Sequence, residues 1–289
     1  MKTQKSFVVT LWLLLFVGFS LAQTPSPAPV RLDKISDRLY ELLDGRGSRG
    51  GAYLGDQFVL VIDAKMDKPS VEQTLAALKQ LSHKPVRYLI NTHSDRDHVG
   101  GNVFFPEGIT IISQENCRAE FFHPGRDGKP SEWNSPELSR FLPSITFRDK
   151  LVIYDGPRRV ELWYFGVGHT TGDTVVYFPE EKAAFLADQL FLSRPQLIHA
   201  YKGGNSFEHV KTLEKMLETL DATRFYSGHS EPATREQVRG HIAEMKAMQQ
   251  KVRASIEQGK ELESLKADFK KEEAPLVETI YNEVKKPSK

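Results

Sequence analysis

The stretch that decides the fold is Thr92-His93-Ser94-Asp95-Arg96-Asp97-His98-Val99-Gly100-Gly101. It follows the run Val86–Asn91, whose residues are typical of a strand. Within six residues, from His93 to His98, the loop carries two imidazoles and two carboxylates. A divalent cation, or a pair of them, is what holds such side chains together at this density. The stretch therefore predicts a metal site at the end of a strand.

Three further motifs follow in the chain, each at the end of a predicted strand. They are Gly166–Asp173 (GVGHTTGD), Phe185–Phe191 (FLADQLF) and Tyr226–Ser230 (YSGHS). Together with the first stretch, they resemble the metallo-β-lactamase superfamily, whose signature is His-x-His-x-Asp-His followed by a glycine pair. The resemblance covers Leu39 to Pro232. One position departs from the signature, because its second histidine is Asp95 here.

The resemblance implies an α/β fold of four layers, αββα, in which two mixed sheets stack face to face between helices. It also implies two divalent metal ions. The first would be bound by His93, Asp95 and His169, the second by Asp97, His98 and His229, with Asp188 between them. Zinc is the expected metal, and Asp97 is the expected catalytic residue because it would also orient the attacking hydroxide.

The implied chemistry is hydrolysis by a metal-bound hydroxide, since coordination lowers the pKa of water from about 16 to about 7. The substrate would be a small molecule with an ester, thioester, lactone or amide bond, a β-lactam included. No protein nucleophile competes in the sequence. It has no Gly-x-Ser-x-Gly elbow, and Cys117, its one cysteine, lies outside the motifs on a predicted helix, where we expect it to be a packed residue.

Asp95 changes the electrostatics of such a site. Two divalent ions, one hydroxide and two carboxylates leave one positive charge, and a third carboxylate cancels it. The additional oxygen ligand favours iron or manganese, although zinc also accepts it. An iron-dependent redox enzyme, flavodiiron-like or sulfur-oxygenase-like, is therefore one alternative, although the sequence holds no flavodoxin-like segment. A vestigial metal-binding fold, with its first site spoiled by the shorter ligand, is the other.

The N-terminus predicts export. Lys2 and Lys5 precede an apolar run, Phe7–Phe19, and Ser20-Leu21-Ala22 provides small residues for cleavage before Gln23. We therefore expect a signal peptide at 1–22, a periplasmic or secreted protein, and no stable membrane insertion after cleavage; an uncleaved anchor is the alternative. Loss of the two lysines moves the formal charge from +1 to −1. A nucleic-acid partner, which demands a basic face, is not expected.

The rest of the chain is divided by composition and periodicity. A Pro-rich linker is predicted at 23–31, the metallo-β-lactamase-like domain at 32–235, and a helical extension packed on that domain at 236–289. Within the domain, helices are predicted from capping residues Ser70 and Ser206. The glycine-rich patch Gly45–Gly51 is interpreted as a hairpin loop, with a mobile flap as the alternative, and Pro124–Pro136 as a loop insertion. The sequence predicts no oligomeric state.

The sequence also indicates roles for several residues outside the ligand set. Tyr201 and Lys202 are candidate substrate-binding residues, because their segment falls where the family places substrate-facing side chains. Asp173 is expected to orient His169 or its loop. The remaining histidines are interpreted as residues without a functional role: His83, His209 and His241 at the surface or at helix ends, and His123 and His199 in loops, with the border of the cleft as the alternative for the last two.

Overall fold

The computed structural model describes residues 27–286. The predicted signal peptide at 1–22, and residues 23–26 of the predicted linker, lie outside the described residues. Among the helices of the described part, none is long and apolar enough to cross a membrane.

Thirteen strands and seven α-helices are present between residues 27 and 286. The strands are β1 Arg31–Lys34, β2 Leu39–Leu43, β3 Gly50–Leu54, β4 Val59–Ile62, β5 Val86–Ile90, β6 Thr110–Gln114, β7 Ile145–Phe147, β8 Lys150–Asp155, β9 Arg158–Trp163, β10 Val175–Phe178, β11 Ala183–Ala187, β12 Arg224–Ser227 and β13 Ala233–Thr234. The helices are α1 Lys68–Leu81, α2 Arg96–Val99, α3 Glu115–Glu120, α4 Ser206–Thr219, α5 Arg235–Glu257, α6 Leu262–Lys266 and α7 Ala274–Lys285. Short 3₁₀ helices lie at Gly100–Phe104, Glu132–Asn134, Pro136–Phe141, Ala200–Lys202 and Lys271–Glu273.

The strands form two mixed sheets. The first has the order β1-β2-β3-β4-β5-β6-β7, antiparallel up to β4 and parallel from β4 to β7. The second has the order β13-β12-β11-β10-β9-β8, in which only β11 and β12 are parallel. Each parallel connection contains a helix or a long segment, as crossover geometry requires.

Three apolar clusters show how the layers are stacked. One lies between the sheets and joins residues such as Leu60 and Ile90 of the first sheet to Phe178 and Phe185 of the second. Another packs α1 against the outer face of the first sheet, and a third packs α4, α5 and α7 against the outer face of the second. The αββα sandwich expected from the sequence is confirmed. Strand β4 is buried on both faces, which explains its unbroken apolar sequence.

The helix starts differ from the prediction by one to three residues. Asp67 caps α1 by accepting from the backbone N–H of Ser70, and Asn205 caps α4 by accepting from Phe207 and Glu208. Ser70 and Ser206 therefore lie inside the helices, and the predicted caps were wrong. The Ser70 hydroxyl instead accepts from the backbone N–H of Arg46, which ties the glycine-rich patch to α1.

The glycine-rich patch is only partly a loop. Gly50 and Gly51 begin strand β3, so the prediction of a hairpin loop to Gly51 was wrong at its C-terminal end. A Cβ on Gly51 would lie 2.7 Å from the Phe185 ring of the second sheet, so glycine is required by the close approach of the two sheets. The loop before β3 is anchored, because the backbone N–H of Ser48 donates to the carbonyl of Asp97 and that of Arg49 donates to Gly228.

The C-terminal helices bury two histidines that the sequence placed at the surface or at helix ends. His209 of α4 and His241 of α5 are 0% and 6% exposed, and their ring centroids are 6.3 Å apart. The prediction was wrong for both, since α5 and α7 cover the outer face of the second sheet and share its apolar cluster. His83 is exposed, as predicted. The division into a domain and a helical extension stays a prediction.

Replacing His241 with glutamine should flatten the pH dependence of stability in mild acid. Burial lowers the pKa of His241 to about 4, so the unfolded chain takes up a proton that the folded chain excludes. Above the unfolded pKa of about 6.5, His241 is neutral in both states and does not lower the free energy of unfolding. As the pH falls towards 4, the free energy of unfolding decreases, and the loss reaches about 3 kcal/mol. Urea unfolding of both proteins between these pH values measures the change, and the exposed His83→Gln is the matched control. An unaltered slope for His241→Gln would contradict the assignment.

Candidate metal centre

The predicted ligands come together at one edge of the sandwich, because each follows a strand that ends there. His93, Asp95, Asp97 and His98 follow β5, His169 follows β9, Asp188 follows β11, and His229 follows β12. Ala187, directly before Asp188, has φ +47°, a conformation that a residue with a side chain rarely adopts. The seven side chains form two adjoining clusters, His93 with Asp95, His169 and Asp188, and Asp97 with His98 and His229.

The first cluster surrounds one carboxylate oxygen. Oδ2 of Asp95 lies 3.5 Å from Nε2 of His93 and 3.2 Å from Nε2 of His169. Oδ2 of Asp188 lies 3.9 Å and 3.8 Å from the same two nitrogens. All four side chains are buried or nearly so. Ligand atoms bound at 2.0–2.2 Å around a tetrahedral ion lie about 3.3–3.6 Å apart, so the spacing suits one divalent ion.

The second cluster shares Asp188 with the first. Oδ1 of Asp188 lies 3.1 Å from Nε2 of His98 and 3.3 Å from Nε2 of His229. Oδ2 of Asp97 lies 3.0 Å from Nε2 of His229 and 3.7 Å from that of His98. Asp188 therefore faces one cluster with each oxygen. The side chains of Asp97 and His229 are 33% and 27% exposed, which makes the second cluster the one open to solvent.

Unsatisfied buried atoms support a metal at this position. Nε2 of His93, Nε2 of His98 and Oδ1 of Asp188 are buried and form no hydrogen bond with the described residues. Buried polar atoms are nearly always hydrogen-bonded, so atoms left without partners on facing side chains are typical of ligands. Imidazole and carboxylate are a donor set that divalent zinc, iron and manganese all accept. The residues fit the metal that their arrangement implies.

Without a cation, protons balance the carboxylates. Burial alone would lower the pKa of His169 and His229, but contacts with Asp95 and Asp188 raise both values to about 9. Burial would likewise raise the pKa of Asp95 and Asp188, but the neighbouring imidazoles hold both well below the usual range. His169 and His229 therefore face ionised carboxylates as protonated imidazoles in the metal-free chain, and a metal ion bound there would replace those protons.

Metal uptake at neutral pH should therefore release protons. A histidine ligand must be neutral, so each histidine with a pKa near 9 gives up its proton on binding. The release should be present below about pH 9 and vanish as the pH rises through that value. Titration calorimetry in buffers of different ionisation enthalpy measures the number of protons. A binding enthalpy that is independent of the buffer at pH 7 would contradict the expectation.

The outer contacts fix which nitrogen faces the site. Nδ1 of His98 donates to Oδ2 of Asp63 at 2.7 Å, and Nδ1 of His169 donates to the carbonyl of Leu197 at 2.8 Å. Nε2 of both rings is thereby left for the metal. Asp63 was not predicted as a site residue from the sequence. It directly follows β4 and has φ +60°. The sequence feature that could have indicated it is an aspartate directly after a buried strand. The Asp173 prediction is confirmed, because its carboxylate accepts from the N–H and hydroxyl of Thr170.

Replacing Asp63 with asparagine should weaken metal binding about 10–100-fold, the usual effect of altering an outer contact. Asparagine tolerates the positive φ but is a weaker acceptor for Nδ1 of His98. Competition with a chelating dye measures the dissociation constants. Asp44→Asn is the matched control, since Asp44 also has a positive φ, +57°, and its carboxylate contacts Arg31 rather than the site. Equal affinity of the Asp63 variant and the wild type would remove Asp63 from the site.

One residue of each cluster lines a cavity of about 660 Å³. Asp95 and Asp97 line its base, and the predicted loop insertion Pro124–Pro136 supplies much of the wall, together with the exposed Tyr201. His123 lies on the exposed rim of the cavity. Cys117 does not reach this cavity; it is fully buried and burial raises the pKa of its thiol, so the packed role is confirmed.

Lys202 and His199 are nearer to the metal cluster than the sequence suggested. Lys202 is 8% exposed, and its ammonium donates to Oδ1 of Asp95 at 2.6 Å. Nδ1 of His199 lies 3.1 Å from Oδ2 of Asp95, and Arg126 contacts the other ring nitrogen. His199 lies in a loop as predicted, and the alternative that it borders the cleft is confirmed, because it lines the cavity and its ring is buried against His169. Substrate contact by Tyr201 and Lys202 stays a prediction.

Ser94 also contacts Lys202, at 2.7 Å, which resembles a serine–lysine nucleophile pair. A lysine acts as a base only if its pKa is low. Here burial lowers the pKa of Lys202, but Asp95 reverses the effect and raises it above the usual value. The Ser94 hydroxyl, moreover, donates to Glu120 at 2.7 Å. Lys202 therefore remains an ammonium, and Ser94 is not activated.

Comparison with known families gives one clear match. The sequence model of the metallo-beta-lactamase superfamily matches residues 50–229, more than half of the chain. Among curated proteins, 2,4-dinitroanisole O-demethylase subunit alpha of a Nocardioides species is 28% identical over 59% of this chain and 47% of its own length. The hydroxyacylglutathione hydrolase of Rhizobium meliloti is 25% identical over 57% of this chain and 56% of its own. The chain thus spans about half the length of these relatives.

Solved structures show the same fold at low identity. A metallo-beta-lactamase from Pontibacter korlensis superimposes with a TM-score of 0.62 at 18% identity, covering 75% of this chain and 99% of that one. FIM-1 from Pseudomonas aeruginosa, in a mono-zinc form, superimposes with a TM-score of 0.62 at 17% identity, covering 76% and 96%. At these identities the likeness establishes the fold alone.

Proposed function

The chain belongs to the metallo-β-lactamase superfamily. On this premise we propose that it is a metal-binding hydrolase, exported and holding two zinc ions, that opens a carbonyl ester, thioester, lactone or amide bond. The observation that carries the proposal is the position of Asp188, which faces one His/Asp cluster with each carboxylate oxygen. Asp95 and Asp97, one from each cluster, line an open cavity beside it. A carboxylate between two clusters of ligands would suit a pair of ions that act together in metal-assisted hydrolysis.

The side chains divide the work of such a reaction between them. The bound ions supply a nucleophile at neutral pH by lowering the pKa of water from about 16 to about 7. Asp97 faces the cavity beside His229, where its carboxylate can orient the attacking water and accept a proton from it. His93 and His169 are buried behind Asp95 and fix the first site in place.

The relatives guide the choice of substrate. Hydroxyacylglutathione hydrolases, whose name denotes a thioester substrate, match over about 57% of this chain, which makes a thioester the first substrate to test. The structural neighbours named metallo-beta-lactamases make β-lactams the second. The O-demethylase subunit adds an aryl methyl ether, 2,4-dinitroanisole, as the third.

Hydrolysis assays on the zinc-loaded mature chain test the proposal. The panel contains S-hydroxyacylglutathione, a chromogenic ester, a lactone, a chromogenic β-lactam and 2,4-dinitroanisole. Turnover of any carbonyl substrate that is abolished by chelation and restored by zinc supports the proposal. Release of phenol from the ether alone would assign the enzyme to a different bond, and no turnover of the whole panel by fully loaded protein would count against the proposal.

Elemental analysis of protein purified without added metal tests the two zinc ions. Two equivalents of zinc support the proposal. Two equivalents of iron would favour the redox alternative that an oxygen ligand at Asp95 raises. Export is tested separately, by locating the tagged full-length chain in cell fractions and sequencing its N-terminus, which should begin at Gln23.

A further inference from the structure

Asp95 does not behave as an aspartate usually does at its position in the chain. It is the N-cap residue of α2, where a carboxylate normally accepts a backbone N–H of the first turn. Its side chain makes no such bond. It turns instead towards the first cluster, and its two oxygens take different partners. The contacts of Asp95 with the first cluster therefore outweigh the usual preference of an aspartate at this position for capping the helix.

One oxygen is occupied by a charge and the other faces the ligands. Oδ1 of Asp95 accepts from the ammonium of Lys202 at 2.6 Å. Oδ2 lies among the ring nitrogens of His93, His169 and His199 at 3.5, 3.2 and 3.1 Å. Arg126 can only donate, so the His199 nitrogen it contacts is an acceptor, and the nitrogen facing Asp95 carries the proton. His199 thus turns a protonated nitrogen towards Asp95 at 3.1 Å and does not offer that nitrogen to a metal, and Oδ2 keeps a lone pair for the first metal site.

We infer that Asp95 and Lys202 act as one unit, an ion pair that replaces the second histidine of the family signature. The inference rests on the metal site of the proposed function. A neutral histidine offers a metal one lone pair and no charge, and the Asp95–Lys202 pair does the same. The ammonium also offsets the charge that Asp95 adds, so the site regains the positive charge of a centre with two carboxylates. Lys202 is therefore a positioning residue, which acts on the metal through Asp95.

Four proteins form the test: wild type, Lys202→Met, Asp95→His and the double variant Asp95→His with Lys202→Met. Methionine keeps the length of the four-carbon stem of lysine and removes its ammonium. The readout is zinc stoichiometry and the dissociation constant of each site, from competition with a chelating dye. Lys202→Met alone should weaken the first site about 10–100-fold, because Asp95 loses the bond that orients it.

The sign of the effect should reverse in the histidine background. In Asp95→His, the lysine ammonium lies beside an imidazole and opposes the metal, so adding Lys202→Met should raise the affinity of the first site. This comparison does not require the single Lys202→Met protein to fold. Equal losses from Lys202→Met in both backgrounds, or no loss in the wild-type background, would overturn the inference.

Two controls separate this inference from the proposed function. Lys129→Met removes an exposed lysine on the same cavity wall, which pairs with Asp127, and should leave both dissociation constants unchanged. His93→Ala should lose the first metal whatever Lys202 does. If His93→Ala loses that metal and Lys202→Met does not, only the ion-pair inference fails. If neither variant changes the metal content, the ligand set and the proposed function fail together.

Discussion

Asp188→Ala is expected to remove both metal ions at once and to lower hydrolytic activity by more than about 100-fold, beyond the usual effect of an outer contact. Asp188 is shared by the two clusters: Oδ1 lies 3.1 Å from Nε2 of His98, and Oδ2 lies 3.8 Å from Nε2 of His169. Its loss deprives each cluster of a ligand and leaves buried imidazoles facing one another without a carboxylate between them. Elemental analysis should find well under two equivalents of metal.

Asp155→Ala is the matched control for this variant. Asp155 is as deeply buried as Asp188, and it accepts from the Tyr53 hydroxyl and the backbone N–H of Asp56, away from the site. Loss of a buried carboxylate lowers stability in both variants by about a few kcal/mol, since Asp155 loses hydrogen bonds and Asp188 loses ion pairs with buried imidazoles, but only Asp188→Ala should lose metal. One metal retained at full occupancy by Asp188→Ala would show that Asp188 serves a single site.

Asp97→Asn is expected to lower turnover about 100- to 10,000-fold while the fold and the first metal site persist. Asparagine keeps the shape of the side chain and can still contact a metal, but it cannot take up the proton of the attacking water. The side chain is one-third exposed, so the substitution opens no cavity in the core. Turnover number measured at saturating zinc separates this loss from a loss of metal.

The pH profile adds a second check on Asp97. Burial would raise the pKa of its carboxyl, but the bond from His229 and the charge of His98 lower it to about 2. A carboxyl group with a lowered pKa stays ionised above that pKa, and its negative charge is lost only as the pH falls through the pKa. Asp97 should therefore not limit activity between about pH 5 and 9, and Asp97→Asn should lower the profile without moving its limbs. If the activity of Asp97→Asn were within a few fold of that of the wild type, Asp97 would not be a catalytic residue.

The histidines illustrate how far sequence reasoning reaches. Those in the four motifs were assigned through the resemblance of the motifs to a known family, and the structure places all of them at one edge of the sandwich. His199, His209 and His241 were each interpreted without a partner in view, and each is buried. Their surroundings come from segments distant in the chain: α4 and α5 cover each other, and the segment before the 3₁₀ helix at Ala200–Lys202 folds back on His169. A lone histidine in a sequence contains no signal of what will cover it.

Asp95 shows the same limit at the site itself. Its departure from the signature is visible in the sequence, and the third carboxylate predicts a site without net positive charge. The structure changes that conclusion, because Lys202, 107 residues further along the chain, lies against Asp95. Asp63, 35 residues before His98, was likewise not identifiable as its partner. Charge balance depends on all groups within a few ångströms, and spacing along one segment reports only some of them.

The sequence by itself determined the αββα layers, the family and the loops that carry the metal ligands. The individual strands and helices follow from apolar runs and from the period of each segment, and the layers, the family and the ligand loops follow from the resemblance of four short motifs to that family. Only the tertiary structure decided that Gly51 belongs to a strand pressed against Phe185, that Asp63 holds His98, and that Lys202 neutralises Asp95. The physical reason is that such contacts are set by the stacking of the two sheets and the return paths of the loops, which bring together atoms that no local pattern relates.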